Sequence, residues 1–169
     1  GVQTCALPIL SARIGLLIPS SNSSVEPEFY KALPPEVTLH TARLHLESIS
    51  EAMLANMLIE LESQSQLLAT ADVDVIMLGA VTPAFIKGAH YDQELSARIT
   101  AATGKRASTT ATALLEALKH LQVTRIAIGA PYDKVVSEIA TRFLSANGVT
   151  VVTTGELGLA ANLEVGRMP

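Results

Sequence analysis

Three short polar stretches interrupt a largely apolar chain of 169 residues, and each sits at the end of an apolar run. Pro19-Ser20-Ser21-Asn22 closes the run 13–19, Gly79-Ala80-Val81-Thr82-Pro83 closes 73–78, and Ala130-Pro131-Tyr132-Asp133 closes 125–130. Small hydroxyls, an amide and a phenol beside backbone N–H groups can hold a carboxylate without a metal or a cationic clamp. They suit an enediolate equally well, the charge that develops when an α-proton or a carboxyl group leaves. Open α/β sheets collect ligands beyond the carboxyl ends of their strands, where helix N-termini offer free N–H groups. A plainer reading stands beside this one: Ser20, Ser21 and Asn22 as helix caps, and Tyr132 as a loop anchor.

The elements that must hold these turns follow from periodicity. The run 13–19 ends in Pro and Ser and reads as a buried strand with its C-terminal turn. Residues 20–24 offer N-caps to a helix whose first turn holds Glu26 and Glu28, where negative charge suits the dipole. Pro34-Pro35 stops that helix. A second strand is expected over 37–46. Leu54, Met57, Leu58, Leu61 and Leu68 recur at helical spacing and predict one amphipathic helix over 50–70. The run 73–78 is a third strand, and 79–85 is the loop after it. Further helices are expected over 91–103, closed by Gly104, and from Thr109 or Thr110, with Leu114, Leu118 and Leu121 on one face. Another is expected over 133–146 with Val136, Ile139, Ala140 and Phe143 inward; strands fill 125–130 and 149–153. Strands alternating with helices imply parallel pairing through right-handed crossovers, an α/β fold.

An internal repeat organises these elements. An offset of 112 residues places Arg13-Ile14 on Arg125-Ile126, Pro19 on Pro131, Glu26 on Glu138, Val37-Thr38 on Val149-Thr150 and Thr41 on Thr153. The offset runs without a gap through strand, turn, helix and strand. One long-period repeat predicts two pseudo-symmetric Rossmann-like lobes with parallel sheets, lobe one over 10–106 and a partial lobe two over 107–169. The counterpart of the third strand would fall beyond Pro169, so the second lobe is expected to be incomplete.

Composition excludes several classes. The formal charge is −4 and the 12 Lys and Arg are scattered, which argues against a nucleic-acid face. No apolar run reaches the roughly 20 residues of a membrane span, and no signal peptide is visible. A cytoplasmic protein is the default. A single cysteine cannot form an internal disulfide, and no Cys/His set has zinc spacing. No Gly-x-Gly-x-x-Gly or Walker-type loop follows a strand, so nucleotide binding is unsupported. His40 and His45 on or after the second strand read as exposed or capping groups rather than ligands. His90-Tyr91-Asp92 reads as a helix cap, and Lys119 and His120 as partners of a helix C-terminus. Residues 1–9 look like the translation of a short-read sequencing adapter, leaving Cys5 without function and the natural chain starting near Leu10 to Arg13.

Residues 13–28 (RIGLLIPSSNSSVEPE) resemble the opening of maleate cis-trans isomerases, whose first turn carries a Pro-Ser-Ser-Asn motif. Residues 87–121, above all Ile99-Thr100-Ala101-Ala102-Thr103-Gly104 and the stretch 108–114, are similar to the same part of arylmalonate decarboxylases. Tyr132 stands where both groups place an active-site tyrosine. Asn162 stands where the isomerases place a substrate-contacting asparagine. The resemblance, to this branch of the aspartate/glutamate racemase superfamily, runs from 13 to 169. It implies chemistry at a carbon next to a carboxylate, in a cleft between the lobes, with no cofactor and no metal. It implies a substrate pocket drawn from Ser21, Asn22, Ala80, Val81, Thr82, Tyr132 and Asn162, with Tyr132 catalytic. The expected partner is a small carboxylate, with neither nucleic acid nor membrane; a homo-oligomer is left open.

The chain departs from the family pattern at one position. Racemases and maleate isomerases use two facing cysteines, and the decarboxylases keep only that of lobe two. A thiol suits the work because its ordinary pKa, about 8.5, can be lowered by nearby N–H dipoles. Here Ala80 occupies the first cysteine position, and the second falls past Pro169. Alanine can neither move a proton nor attack a double bond. Asn22 points toward the isomerases, while the missing thiol points toward the decarboxylases. Val81 replaces a hydroxyl expected in the decarboxylase pocket, and Thr82 retains one. The readings that follow are a maleate isomerase-like enzyme, an arylmalonate decarboxylase-like lyase, or a carboxylate binder without chemistry. The chain as it stands is expected to be inactive.

Overall fold

The computed structural model describes residues 12–159 and 161–168; the expectation for residues 1–9, Cys5 included, lies outside them. β1 (Ala12–Pro19) is buried from Gly15 to Pro19, covered on both faces, which is why its run is apolar without alternation. It pairs on one side with β2 (Val37–Leu44) and on the other with β3 (Val75–Leu78). With β4 (Arg106–Thr109) they form a four-stranded parallel sheet ordered β2-β1-β3-β4. The chain leaves β1 in one direction through α1 (Val25–Ala32). It returns past β1 to β3 through α2 (Glu51–Met57) and α3 (Leu61–Ala69), then reaches β4 through α4 (Tyr91–Thr103). The loops after β1 and β3 therefore part in opposite directions and leave a crevice at the carboxyl end of the sheet.

α5 (Thr110–His120) leads to β5 (Arg125–Ala130), which pairs in parallel with β6 (Thr150–Glu156) through α6 (Lys134–Ala146); α7 (Asn162–Val165) follows. The second sheet thus has two parallel strands. The 112-residue offset is carried in the pairing itself. Arg13 faces Thr38 and Ile14 faces Leu39, as Arg125 faces Thr150 and Ile126 faces Val151. A bulge between Ile126 and Ala127 then slips the second ladder by one residue, so that Ala127 faces Thr153.

The main hydrophobic cluster lies beneath α2, α3 and α4 and continues into α6. Leu17, Leu54, Leu61, Ile76, Leu78 and Leu95 share it with Ile139, Phe143 and Leu144. The rings of Phe85 and Phe143, 4.6 Å between centroids, join the two parts. A smaller cluster of Leu16, Ile18 and Leu39 packs with Val25, Phe29 and Leu33 under α1. Full burial of each such leucine or isoleucine contributes about 2 kcal/mol.

Four expectations need correction. The helix expected over 50–70 is two helices joined by a 3₁₀ turn at Leu58–Glu60. The Arg98 guanidinium takes the Leu58 carbonyl at 3.0 Å while pairing with Glu62, and a side chain inserted there breaks the ladder. β4 was not expected, because Arg106-Ala107-Ser108-Thr109 has no apolar run. It is the sheet edge, where polar residues are tolerated, and it spans the division expected at 106/107. His90 precedes α4 in a left-handed conformation (φ 65°) without a side-chain cap, while Tyr91 and Asp92 lie inside the helix and are buried. The loop after β3 contains a 3₁₀ turn, Thr82–Phe85. Among the described residues no helix is long and apolar enough to cross a membrane.

Candidate active site

The turn after β1 is fixed from several sides. Ser20 N donates to Leu44 O (2.7 Å), and Asn22 N donates to Pro19 O (2.9 Å). The Asn22 side-chain oxygen accepts from Ser24 N and Val25 N at 3.1 and 3.0 Å. Asn22 is therefore the side-chain cap of α1, while Ser24, at the N-cap position, makes no such bond. Its amide nitrogen has no hydrogen-bond partner among the described residues, and the side chain borders the crevice. The capping reading holds for the oxygen; the nitrogen stays available as a donor.

Ser20 and Ser21 do otherwise. Ser20 Oγ accepts from Leu46 N (3.0 Å), and Ser21 Oγ donates to Leu46 O (2.7 Å), bracing the segment after β2. Ser21 borders a shallow depression on the outer side of the turn with Arg43 and Tyr30, not the crevice. Of the residues expected in the pocket, Ser21 is the one that does not line it, because its hydroxyl proton is directed to Leu46. It reaches the crevice only at one remove, accepting from Asn162 Nδ2 at 3.2 Å.

The turn after β3 begins at Gly79, whose N donates to Leu17 O at 2.7 Å. A Cβ there would lie 2.8 Å from Leu16 Cδ1 and 3.0 Å from Ile18 Cγ2, so only glycine lets this turn lie so close to β1. Ala80 and Val81 follow, half-buried, and then Thr82, which is 5% exposed. The turn after β5 is strapped by the tail of β6. Leu159 N donates to Pro131 O (2.8 Å) and Gly158 N to Tyr132 O (3.0 Å), with Gly158 at φ 70°. Asp133 caps α6, accepting from Val136 N (3.0 Å).

These turns converge on one cavity of about 340 Å³. Its polar lining is Asn22, Thr82, Thr110, Tyr132 and Asn162; Ala80 and Val81 border it between them. Its apolar wall is Val25, Phe29, Leu46, Ile49, Leu54 and Met77, and Glu28 of α1 borders it. No lysine, arginine or histidine lines it, and no metal-binding cluster of His, Cys, Asp or Glu occurs among the described residues. The sequence marks Thr110 only as a helix start, because β4 is not legible there; a strand at 106–109 puts the start of α5 at the carboxyl edge of the sheet. His40 bonds Thr38 Oγ1 (3.1 Å) and His45 pairs with Glu47 (3.4 Å), neither at the cavity.

Parallel sheets whose turns meet over a shared cavity at a strand-order switch define an α/β protein of the ligand-binding, enzymatic kind. The chain belongs to the arylmalonate decarboxylase family, whose model matches residues 14–169. The maleate isomerase of Pseudomonas putida is 30% identical over 167 residues, covering 92% of this chain and 67% of that protein. The maleate isomerase of Geobacillus stearothermophilus is 28% identical over 168 residues with the same coverage. A solved structure of Nocardia farcinica maleate cis-trans isomerase is a Cys-to-Ser variant with a covalently bound succinylcysteine intermediate. It matches with a TM-score of 0.88 at 28% identity, covering 94% of this chain and 68% of that one. The chain spans about two-thirds of the length of these relatives.

Proposed function

We propose that this protein binds a small carboxylic acid in the cavity between its two sheets, in the cytoplasm. The proposed chemistry is maleate isomerase-like, at the carbon next to a carboxylate and without a cofactor. The observation that carries this is the composition of the cavity. Asn22 and Tyr132, on turns related by the 112-residue offset, meet Thr82 and Asn162 around a space with no cationic side chain. An anion held there is recognised by neutral donors alone, each hydrogen bond to a charged group contributing about 1.5–3 kcal/mol. The same donors strengthen as a carboxylate gains charge on its way to an enediolate, the condition for accelerating proton or carboxyl departure. Thr82 and Tyr132 hydroxyls and the Asn22 and Asn162 amides are assigned to binding and charge stabilisation, with Tyr132 assigned the donor at the reacting end. Ala80 supplies no proton and no nucleophile.

A second reading has its own observation. The apolar wall of Phe29, Ile49, Leu54 and Met77 is broader than a bare dicarboxylate needs, and suits an aryl or alkyl substituent as in a substituted malonate. Titrating the chain with maleate and with phenylmalonate, followed by ¹H–¹⁵N spectra and product analysis, separates the two. Shifts at Asn22, Thr82 and Tyr132 are expected with the preferred acid. Fumarate formation supports the isomerase reading, and loss of carbon dioxide the lyase reading. Binding without turnover leaves the carboxylate reading standing, as expected of a chain with Ala80 at the first thiol position, and binding of neither acid removes the proposal.

A further inference from the structure

Arg43 lies near the end of β2 and does not line the cavity, yet it binds two carbonyl groups of the turn that carries Asn22. Its Nη1 donates to the carbonyl oxygen of Ser20 (3.0 Å) and to that of Asn22 (2.8 Å). Its Nη2 forms an ion pair with Glu26 on the first turn of α1. One planar guanidinium thus joins β2, the turn and the helix that Asn22 caps, a fork that an ammonium on a flexible stem cannot reproduce. The pairing with Glu26 leaves little net charge, so long-range attraction of an anion is not its role. What it does is directional. Two carbonyl dipoles, which would repel a carboxylate if they swung toward the cavity, are drawn to the outer side of the turn. The Asn22 oxygen is meanwhile held by Ser24 N and Val25 N. With every acceptor of Asn22 engaged, its NH₂ is what remains to face the cavity.

We propose that Arg43 is a positioning residue that aims the Asn22 amide at the ligand by fixing the carbonyl oxygens of its turn. This rests on the carboxylate reading of the cavity, and the test separates the two. In the full chain, Arg43→Gln is expected to weaken binding of maleate or phenylmalonate, whichever binds the unmodified chain, by roughly tenfold, the worth of one well-aimed hydrogen bond. In an Asn22→Ala background the same substitution is expected to change binding by less than about twofold, because a residue acting through Asn22 has nothing left to aim. Equal weakening in both backgrounds, or none in the first, overturns the proposal. A ligand-free readout accompanies it. Arg43→Gln should speed amide exchange at Ser24 and Val25 and move the two Asn22 side-chain NH₂ resonances toward their unstructured values, with exchange in β1 and β3 unchanged. That spectral change in a chain that binds neither acid sinks the carboxylate reading and keeps the role of Arg43. Binding with no spectral change does the reverse. Should Arg43→Gln unfold the chain, Arg43→Lys keeps the charge and stem, loses the fork, and is expected to shift both readouts in the same direction.

Discussion

Replacing Asn22 by aspartate separates its two duties. An aspartate oxygen can still accept from Ser24 N and Val25 N, so the cap of α1 survives, and alanine there would cost about 1 kcal/mol. The donor, however, becomes an acceptor carrying negative charge toward an anion. Asn22→Asp is therefore expected to keep the thermal midpoint of the parent within a few degrees while weakening carboxylate binding roughly 10²-fold, read by calorimetric titration. A parallel loss of stability and binding would show the residue to be a cap only. Ala80 invites the opposite experiment. Ala80→Cys places a thiol between Asn22 and Thr82, where its sulfur can add to one olefinic carbon of maleate while a proton enters at the other, leaving a succinyl thioether. Peptide mass spectrometry is expected to find the adduct at position 80 well ahead of Cys5, which serves as the internal control. Equal labelling of both cysteines would mean that the cavity does not orient maleate.

Gly79 shows how an element depends on a missing side chain. Gly79→Ala presses a methyl against Leu16 and Ile18, both fully buried, and is expected to destabilise the chain by about 1–3 kcal/mol in urea unfolding. An unchanged midpoint would mean the β3 turn yields easily and does not hold Thr82 in place. The strands and turns that frame the cavity could be read from the sequence because apolar runs ending in Pro, Gly or Ser are strong punctuation. β5 begins and ends where its run does, and α4 ends at Gly104 as its pattern requires. What could not be read was set by tertiary partners. β4 is a strand because β3 offers it hydrogen bonds, not because Arg106-Ala107-Ser108-Thr109 prefers extension. The interruption between α2 and α3 comes from Arg98, some forty residues away, which no local pattern reveals. Ser21 was read as a ligand because its hydroxyl is chemically suitable; only the fold shows Leu46 taking it. Arg43 is not legible for a related reason, since a lone arginine near a strand end gives no sign of what it will clasp.

Charge ties β1 to the start of β4 across the amino edge of the large sheet and sets a pH limit. Asp72 bonds Lys105 Nζ and Arg13 Nη1, both at 3.0 Å, and Arg98 bonds Glu62 across α3 and α4. The Asp72 carboxyl is held below its ordinary 3.8, first by the hydrogen bond from Lys105 and then by the charges of Lys105 and Arg13. Glu62 is held below its ordinary 4.5, chiefly by the hydrogen bond from Arg98. Since both folded values lie below the unfolded ones, each group stabilises the fold above its ordinary value. That contribution fades as pH falls through the folded value. The urea midpoint is expected to be flat near neutrality and to drop below about pH 4.5, with Asp72→Asn plus Glu62→Gln reducing the slope. A double variant with the parent's acid profile would assign the drop to other carboxyls.

The single-residue slip in β6 has a consequence beyond the ladder in which it occurs. Up to Ile126 the two halves pair alike; after it they are out of phase. The first half ties the segment after β2 to the opposing turn through the Ser20 and Ser21 hydroxyls, the later half through the backbone N–H groups of Gly158 and Leu159. A hollow made from twin walls would treat either end of a guest alike. Here one wall presents an amide braced from behind and the other a phenol whose backbone is held by the tail of β6. A diacid of the kind proposed above is expected to meet unlike hosts at its two ends and to settle in one orientation.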